Sequence, residues 1–199
     1  MSAKRLFDII LSVMGLTLLS PILIIIAFTI KLTSQGEIFF RQQRVGLNGQ
    51  LFLIHKFRTM VINAEDLGPK ITIGMDKRIT KIGHFLRKTK LDELPQLIDV
   101  FIGKMSIVGP RPEVPEYVAL YQKEVKDIVL SVRPGITDWA SIKMIDENLI
   151  LAKSDNPKNT YIHEIMPQKL AYAVKYVKRR SMPQDILIIF MTFIKIIKR

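Results

Sequence analysis

The sequence contains no cysteine, which excludes disulfides and thiolate metal sites. A reducing compartment is compatible with that absence. The three histidines, His55, His84 and His163, are scattered, so their spacing gives no support to a histidine-based metal site. One tryptophan and five tyrosines are a poor supply of stacking platforms for single-stranded nucleic acid, and no nucleic-acid partner is expected. Walker-type, GxGxxG and GxSxG motifs are missing, as are internal repeats and low-complexity tracts. Acids are scarce as well: 18 Asp and Glu face 30 Lys and Arg, for a net charge of +12. A chain this basic usually meets phosphate, carried by nucleic acid, by anionic lipid or by a phosphorylated substrate.

The 199 residues suit one domain with its own core. Hydrophobic residues make up 48% and charged residues 24%, which suggests one apolar segment attached to an ordinary polar body. That segment is Ile9 to Ile30, 22 residues without a charge. It is long enough to cross a bilayer core, which needs about 20 residues. It is too long for the apolar part of a signal peptide, and no small-residue cleavage site follows it.

Two features argue against a straight crossing. Lys4 and Arg5 precede the run, while Lys31, Arg41 and Arg44 follow it. The positive-inside rule places both ends on the cytoplasmic side. Ser20-Pro21 also sits in mid-run, where proline removes a hydrogen bond and crowds the preceding turn. The Ser20 hydroxyl can satisfy a carbonyl freed nearby. The expectation is a helix that bends at Ser20-Pro21 and returns to the same face. A kinked span and a buried soluble helix are the alternatives.

Beyond this run the pattern changes. Residues 37–60 read as a β-hairpin around Asn48-Gly49, with Arg41, Arg44, Lys56 and Arg58 toward the ends away from the turn. Residues 63–72 read as a loop broken at Gly68-Pro69. Asp76 to Lys90 holds six Lys or Arg and one acid and reads as a basic helix. It leads into Leu91-Asp92-Glu93-Leu94-Pro95 and a second helix, with Asp92 near its N-terminus, where a carboxylate also suits a simple cap. Met105 to Val108 is strand-like and ends in Gly109-Pro110-Arg111-Pro112. Flanking prolines suit a preorganised arginine grip on phosphate, or simply a turn. Val114 to Leu130 reads as a helix, Arg133-Pro134-Gly135-Ile136 as a rigid turn, and 146–160 as a polar loop. Pro167 to Arg180 reads as an amphipathic helix. Asp185 to Arg199 is too short to span and suits packing on the body or lying in the membrane interface.

Asp92 and Glu93 stand side by side in a basic chain, with Lys56, Arg87, Arg111 and Arg133 as candidate anion clamps. Magnesium typically takes one or two carboxylates plus phosphate oxygens. A free aspartate side chain is ionised at pH 7 and can attack phosphorus without a general base. Its difficulty is repulsion from an anionic phosphate, which a metal ion and arginines relieve. Anchor, cations and carboxylates together suggest transfer of a phosphorylated group at a membrane surface.

The chain resembles the monotopic polyprenyl-phosphate phosphoglycosyl transferases, the bacterial sugar transferase family. The resemblance rests on ordered stretches: Lys4-Arg5-Leu6-Phe7-Asp8, Ser20-Pro21, Phe40-Arg41-Gln42-Gln43-Arg44-Val45-Gly46 and Lys56-Phe57-Arg58-Thr59-Met60. It continues through Leu91-Asp92-Glu93-Leu94-Pro95-Gln96-Leu97, Met105-Ser106-Ile107-Val108-Gly109-Pro110-Arg111-Pro112 and Arg133-Pro134-Gly135-Ile136-Thr137. It implies transfer of a sugar 1-phosphate from a UDP-sugar to a polyprenyl (undecaprenyl) phosphate, with release of UMP and a requirement for Mg2+. This would be the first membrane step of glycoconjugate or exopolysaccharide assembly. Asp92 would form a covalent phospho-sugar intermediate and contact the metal, with Glu93 assisting by positioning or proton handling. Lys56, Arg87 and Arg111 match positions around the family's active site, and Asp185 matches an acidic position there. The resemblance also implies a re-entrant anchor at the cytoplasmic face of the bacterial inner membrane, and a catalytic unit without the extra membrane helices of larger relatives. Many relatives follow Arg-Pro-Gly-Ile-Thr with a Gly-rich run bearing Gln and Arg. Here the chain reads Asp138-Trp139-Ala140-Ser141-Ile142-Lys143, and Asp146 to Thr160 becomes a candidate specificity loop.

The expected fold class is α/β, mostly helical with a small β-hairpin, an N-terminal re-entrant membrane helix and interfacial amphipathic helices. Residues 1–32 would form the membrane hairpin. Residues 33–199 would form the cytosolic catalytic domain with a membrane-associated C-terminal helix. Membrane lipid is an expected partner, and the apolar surfaces leave room for a homodimer. A direct glycosyl transferase releasing UDP and a non-catalytic basic membrane adaptor are the competing functions.

Overall fold

In the computed structural model of the chain, the described residues are 2–64, 66–68, 76–144 and 147–198. Helix α1 (Ala3–Thr33) takes in the whole apolar run. Ser2 caps it, its Oγ accepting from the Arg5 amide at 3.3 Å. Helical structure continues through Pro21, so both expected arms belong to one element. Proline at position 21 leaves the Thr17 carbonyl without its usual donor. Ser20 Oγ donates to that same carbonyl at 2.8 Å. The serine before the proline thus repairs the gap that the proline makes.

At 1.5 Å per residue, α1 is about 46 Å long. It touches the body at both ends and in between. Arg5 donates to the Val100 and Phe101 carbonyls at 2.6 and 2.8 Å. Asp8 is buried and accepts from Ser106 Oγ and the Ile107 amide, both at 3.0 Å. Gly15 runs under Leu97, where a Cβ would stand 3.0 Å from a leucine methyl. Toward the C-terminus, Ile26 and Ile30 are buried with Phe57 and Leu86. Leu6, Ile10, Met14, Leu18, Ile25 and Phe28 remain exposed.

Strands β1 (Phe39–Val45) and β2 (Leu51–Phe57) form the expected antiparallel hairpin, Val45 opposite Leu51. Asn48 and Gly49 both take positive φ, 53° and 79°, as a tight reversal requires. Phe52 and Ile54 face inward against Val100 and Met105. Burying each such side chain contributes about 1.5–3 kcal/mol, enough to fix the strand's register. Lys56 shares their face, because side chains alternate along a strand.

Helix α2 (Lys81–Thr89) begins later than the basic run does. Met60 pairs with Ile79 as an extended bridge, and Thr80 Oγ1 then caps the helix by accepting from the Gly83 amide at 3.0 Å. A 3-10 turn (Leu91–Glu93) joins it to α3 (Gln96–Phe101). Strand β3 (Ser106–Val108) follows, then α4 (Pro115–Val118) and α5 (Lys123–Leu130), so the single helix expected over 114–130 is two. Strand β4 (Gly135–Thr137) pairs parallel with β3 where a turn was expected. Gly135 permits this, since a Cβ there would collide with the backbone of Gly109.

The remainder is helical: α6 (Trp139–Lys143), α7 (Glu147–Ala152), α8 (Pro157–Thr160), a π-helical turn (Tyr161–Ile165), α9 (Met166–Arg179) and α10 (Met182–Ile197). The expected polar loop over 146–160 is thus largely two short helices. Its first residue, Asp146, lies outside the described residues, as do Pro69 and Thr72 of the earlier loop. Leu151 and Tyr161 are buried with Val114, Tyr117, Ile165 and Met166, which fastens this segment to the body. On α10, Ile188 is buried with Val108 and Tyr176, while Ile186, Leu187, Phe190 and Phe193 are exposed. The fold is therefore mostly helical with two small sheets and a long N-terminal apolar helix.

Candidate active site

The acidic pair sits in the 3-10 turn between α2 and α3, and both side chains are buried. Asp92 does not cap α3. Pro95 stands at the N-cap and supplies no side-chain acceptor. The Asp92 carboxylate is instead held from β2, with Lys56 Nζ 2.8 Å from Oδ2. Its Oδ1 is buried, and nothing among the described residues donates to it. A buried acceptor without a donor is costly.

Glu93 is gripped at two points by Arg111. Nη1 donates to Oε2 at 3.1 Å and Nη2 to Oε1 at 2.5 Å. Lys56 Nζ also approaches Oε1, at 3.5 Å. Burial pushes the Glu93 carboxyl upward, but Arg111, Lys56 and Lys90 outweigh it and hold the group well below the usual carboxylate range. Glu93 in turn raises Arg111 above the ordinary guanidinium value, against the effect of burial. The loop that carries Arg111 is fixed from below: the Gly135 amide donates to the Pro110 carbonyl at 2.9 Å, and Asp138 Oδ2 accepts from the Arg111 amide at 3.4 Å.

Arg87 reaches the same place from α2. Its Nε donates to Thr59 Oγ1 at 2.8 Å, and Asp92 and Glu93 lie within its electrostatic reach. Lys56, Arg87, Asp92, Glu93 and Arg111 are thus brought together from β2, α2, the 3-10 turn and the loop after β3.

Two expected residues stand elsewhere. Arg133 Nε donates to the Gly103 carbonyl at 2.8 Å, in the turn that follows α3. That turn is at the opposite end of α3 from the acidic pair, so Arg133 holds chain rather than facing Asp92. Asp185 is buried at the foot of α10. Lys4 Nζ stands 2.6 Å from its Oδ2, and Tyr176 Oη donates to its Oδ1 at 2.8 Å. It fastens α1 to α9 and α10.

Other polar groups around the site escaped sequence reasoning. Lys90 stands two residues before Asp92 and takes a left-handed conformation, φ 61°. Asp99 accepts from the His55 amide at 2.8 Å and lies 2.7 Å from His55 Nδ1, which ties α3 to the strand that carries Lys56. Glu113, immediately beyond the Arg111 motif, is paired with Lys169 at 3.4 Å and Arg44 at 3.8 Å, and accepts from Tyr161 Oη. Adjacency to a motif marks Lys90 and Glu113; the His55–Asp99 contact has no signal in sequence.

Among the described residues, no group of three or more His, Asp or Glu side chains could hold a metal ion. A magnesium ion that takes one carboxylate and completes its shell with phosphate oxygens and water needs less. Asp92 Oδ1, a hard oxygen donor without a partner, fits that requirement. Both Glu93 oxygens are already engaged by Arg111.

Comparison with known proteins places this arrangement in a class. The family described as "Bacterial sugar transferase" matches residues 1–199, and the chain belongs to that family. It is 39% identical over 194 residues to the UDP-glucose:undecaprenyl-phosphate glucose-1-phosphate transferase of Escherichia coli K12, covering 96% of this chain and 39% of that protein. It is 36% identical over 191 residues to the UDP-N-acetylgalactosamine-undecaprenyl-phosphate N-acetylgalactosaminephosphotransferase of Aeromonas hydrophila, covering 95% and 42%. It is 33% identical over 205 residues to the exopolysaccharide production protein ExoY of Sinorhizobium fredii, covering 96% and 83%. The chain spans about two fifths of the length of the first two relatives.

Proposed function

We propose that this protein is a phosphoglycosyl transferase, moving a sugar 1-phosphate from a UDP-sugar to undecaprenyl phosphate and releasing UMP. One observation carries the reading: Asp92 is a buried carboxylate with one oxygen held by Lys56 and the other free, among cations. The names of the relatives, which act on UDP-sugars and undecaprenyl phosphate, supply the substrate class.

In the first half-reaction an Asp92 oxygen attacks the phosphorus that bears the sugar. A new O–P bond forms, the bond from that phosphorus to the bridging oxygen breaks, and the electron pair leaves on UMP. In the second, an oxygen of the polyprenyl phosphate attacks the same phosphorus. The Asp92 O–P bond breaks, and the carboxylate is regenerated. Lys56 orients Asp92 and offsets its charge. Arg111 and Arg87 present guanidinium groups to the phosphates. Glu93, kept ionised by Arg111, is a poor proton carrier near neutral pH and serves to hold Arg111 and Lys56 in place. Mg2+ would be held by Asp92 with substrate phosphate oxygens, and when bound it offsets the diphosphate charge that repels the carboxylate.

The same reading seats α1 as a re-entrant anchor at the cytoplasmic face of the inner membrane. The contacts of its first, middle and last turns with one body support this, because a spanning helix touches a body on one side only near one end. Its exposed apolar side chains and those of α10 would face lipid.

The test is a nucleotide-product assay over a panel of UDP-sugars with undecaprenyl phosphate and Mg2+. UMP release with formation of a lipid-linked sugar diphosphate is expected. UDP release would replace this mechanism with direct glycosyl transfer, and no turnover with any UDP-sugar would favour an adaptor.

A further inference from the structure

Lys90 is a lysine where the backbone favours glycine. It closes α2 in the left-handed region, at φ 61° and ψ 13°. Side chains with a Cβ rarely adopt that conformation, and helices commonly end there on glycine. Positions of this kind cluster at active sites and ligand clamps.

The surroundings of Lys90 point the same way. Its carbonyl accepts from the Glu93 amide at 3.3 Å, which sets Lys90 in the turn that holds the acids, and its ammonium lies within electrostatic reach of Glu93, Arg111, Lys56 and Asp92. Lys56 is engaged by both acids, and Arg111 by Glu93. The Lys90 ammonium has no ion pair or hydrogen bond among the described residues. Four cations, Lys56, Arg87, Lys90 and Arg111, surround the Asp92-Glu93 pair. That grouping of cations suits a polyanion, and Lys90 is the member that no described side chain contacts directly.

We infer that Lys90 is a further substrate-binding residue, whose ammonium contacts the diphosphate of the nucleotide sugar and offsets the charge gathering on the departing nucleotide phosphate. The inference rests on the phosphoglycosyl transferase reading for the identity of that diphosphate. It goes beyond it in adding a residue outside the Asp-Glu pair and the motif arginines. A simple helix-end charge is the competing role. That role leaves substrate affinity untouched.

Lys90→Gly separates the two, because glycine relieves the backbone while removing the ammonium. In the 199-residue chain in detergent, the melting temperature of Lys90→Gly is expected to hold or rise. Its UDP dissociation constant should rise about tenfold or more, and kcat/KM for the UDP-sugar should fall at least as far. Lys90→Arg, which keeps the charge, should stay within about threefold of the parent in both. Equal UDP affinity in Lys90→Gly and the parent would overturn the inference. Release of UDP by the parent would sink the phosphoglycosyl transferase reading, while a Lys90-dependent UDP affinity would still support the binding role.

Discussion

Lys56 Nζ stands 2.8 Å from Asp92 Oδ2, while the other oxygen of the same carboxylate is buried without a donor. The lysine fixes one edge of the carboxylate and leaves the other presented. Asp92→Asn cannot carry a phosphoryl ester. Turnover should fall on the order of 10³-fold or more, with the melting temperature within a few degrees of the parent. Incubating the parent with UDP-sugar alone should add the mass of a phospho-sugar to the intact protein, and Asp92→Asn should lack it. An Asp92→Asn variant with parent-like turnover would remove Asp92 as the nucleophile.

The Arg111–Glu93 pair is held at two points, and Glu93 is buried. Arg111→Met leaves that carboxylate to Lys56 and Lys90. Breaking a buried pair from one side costs about 3–5 kcal/mol, and the partial exposure of Arg111 puts the expected loss at about 3 kcal/mol. The double variant Glu93→Gln/Arg111→Met should lose less than the sum of the single changes, and chemical unfolding in detergent would read the difference.

Glu93 also predicts a pH dependence. Its folded-state pKa is depressed below the ordinary value of 4.5, so in acid the unfolded chain binds the extra proton first. The stabilisation from this group is fully present above that ordinary value and is lost as pH falls through the folded-state pKa. Unfolding midpoints measured from neutral pH into acid should fall more gently for Glu93→Gln than for the parent. Identical slopes would show that Glu93 is not depressed.

Lys4 and Asp185 join the first turn of α1 to the foot of α10, at 2.6 Å. Lys4→Met leaves a buried carboxylate with only the Tyr176 hydroxyl. A loss of about 2–4 kcal/mol is expected, and Lys4→Arg should recover part of it. If Lys4→Met unfolds at the parent's denaturant concentration, the pair holds nothing together.

The absence of cysteine makes the anchor easy to test. Single cysteines at Ser2 and Ser34, at the two ends of α1, should both react with an impermeant maleimide in inverted vesicles, which expose the cytoplasmic face, and neither should react in intact cells. Reaction at opposite faces would turn the re-entrant seat into a span.

Motif order, an apolar run bounded by basic residues, and the adjacency of Asp92 to Glu93 are properties of the chain itself. They sufficed for the hairpin, the long N-terminal helix, the α9 and α10 helices and four members of the candidate site besides Arg111. The repair of Pro21 by Ser20 was legible too, because donor and acceptor lie three residues apart. Strand β4 was not, since its pairing with β3 depends on two glycine backbones meeting across 26 residues of sequence.

The sequence by itself determined which residue types this protein brings to its candidate site, because composition and motif spacing are local facts. Only the tertiary structure decided how they are used. It gave Lys56 to Asp92 and Arg111 to Glu93, sent Arg133 to the far end of α3 and Asp185 to Lys4, and set Lys90 in a left-handed turn against the Glu93 amide. Those assignments depend on distances between segments that are remote along the chain, which packing fixes and sequence order does not.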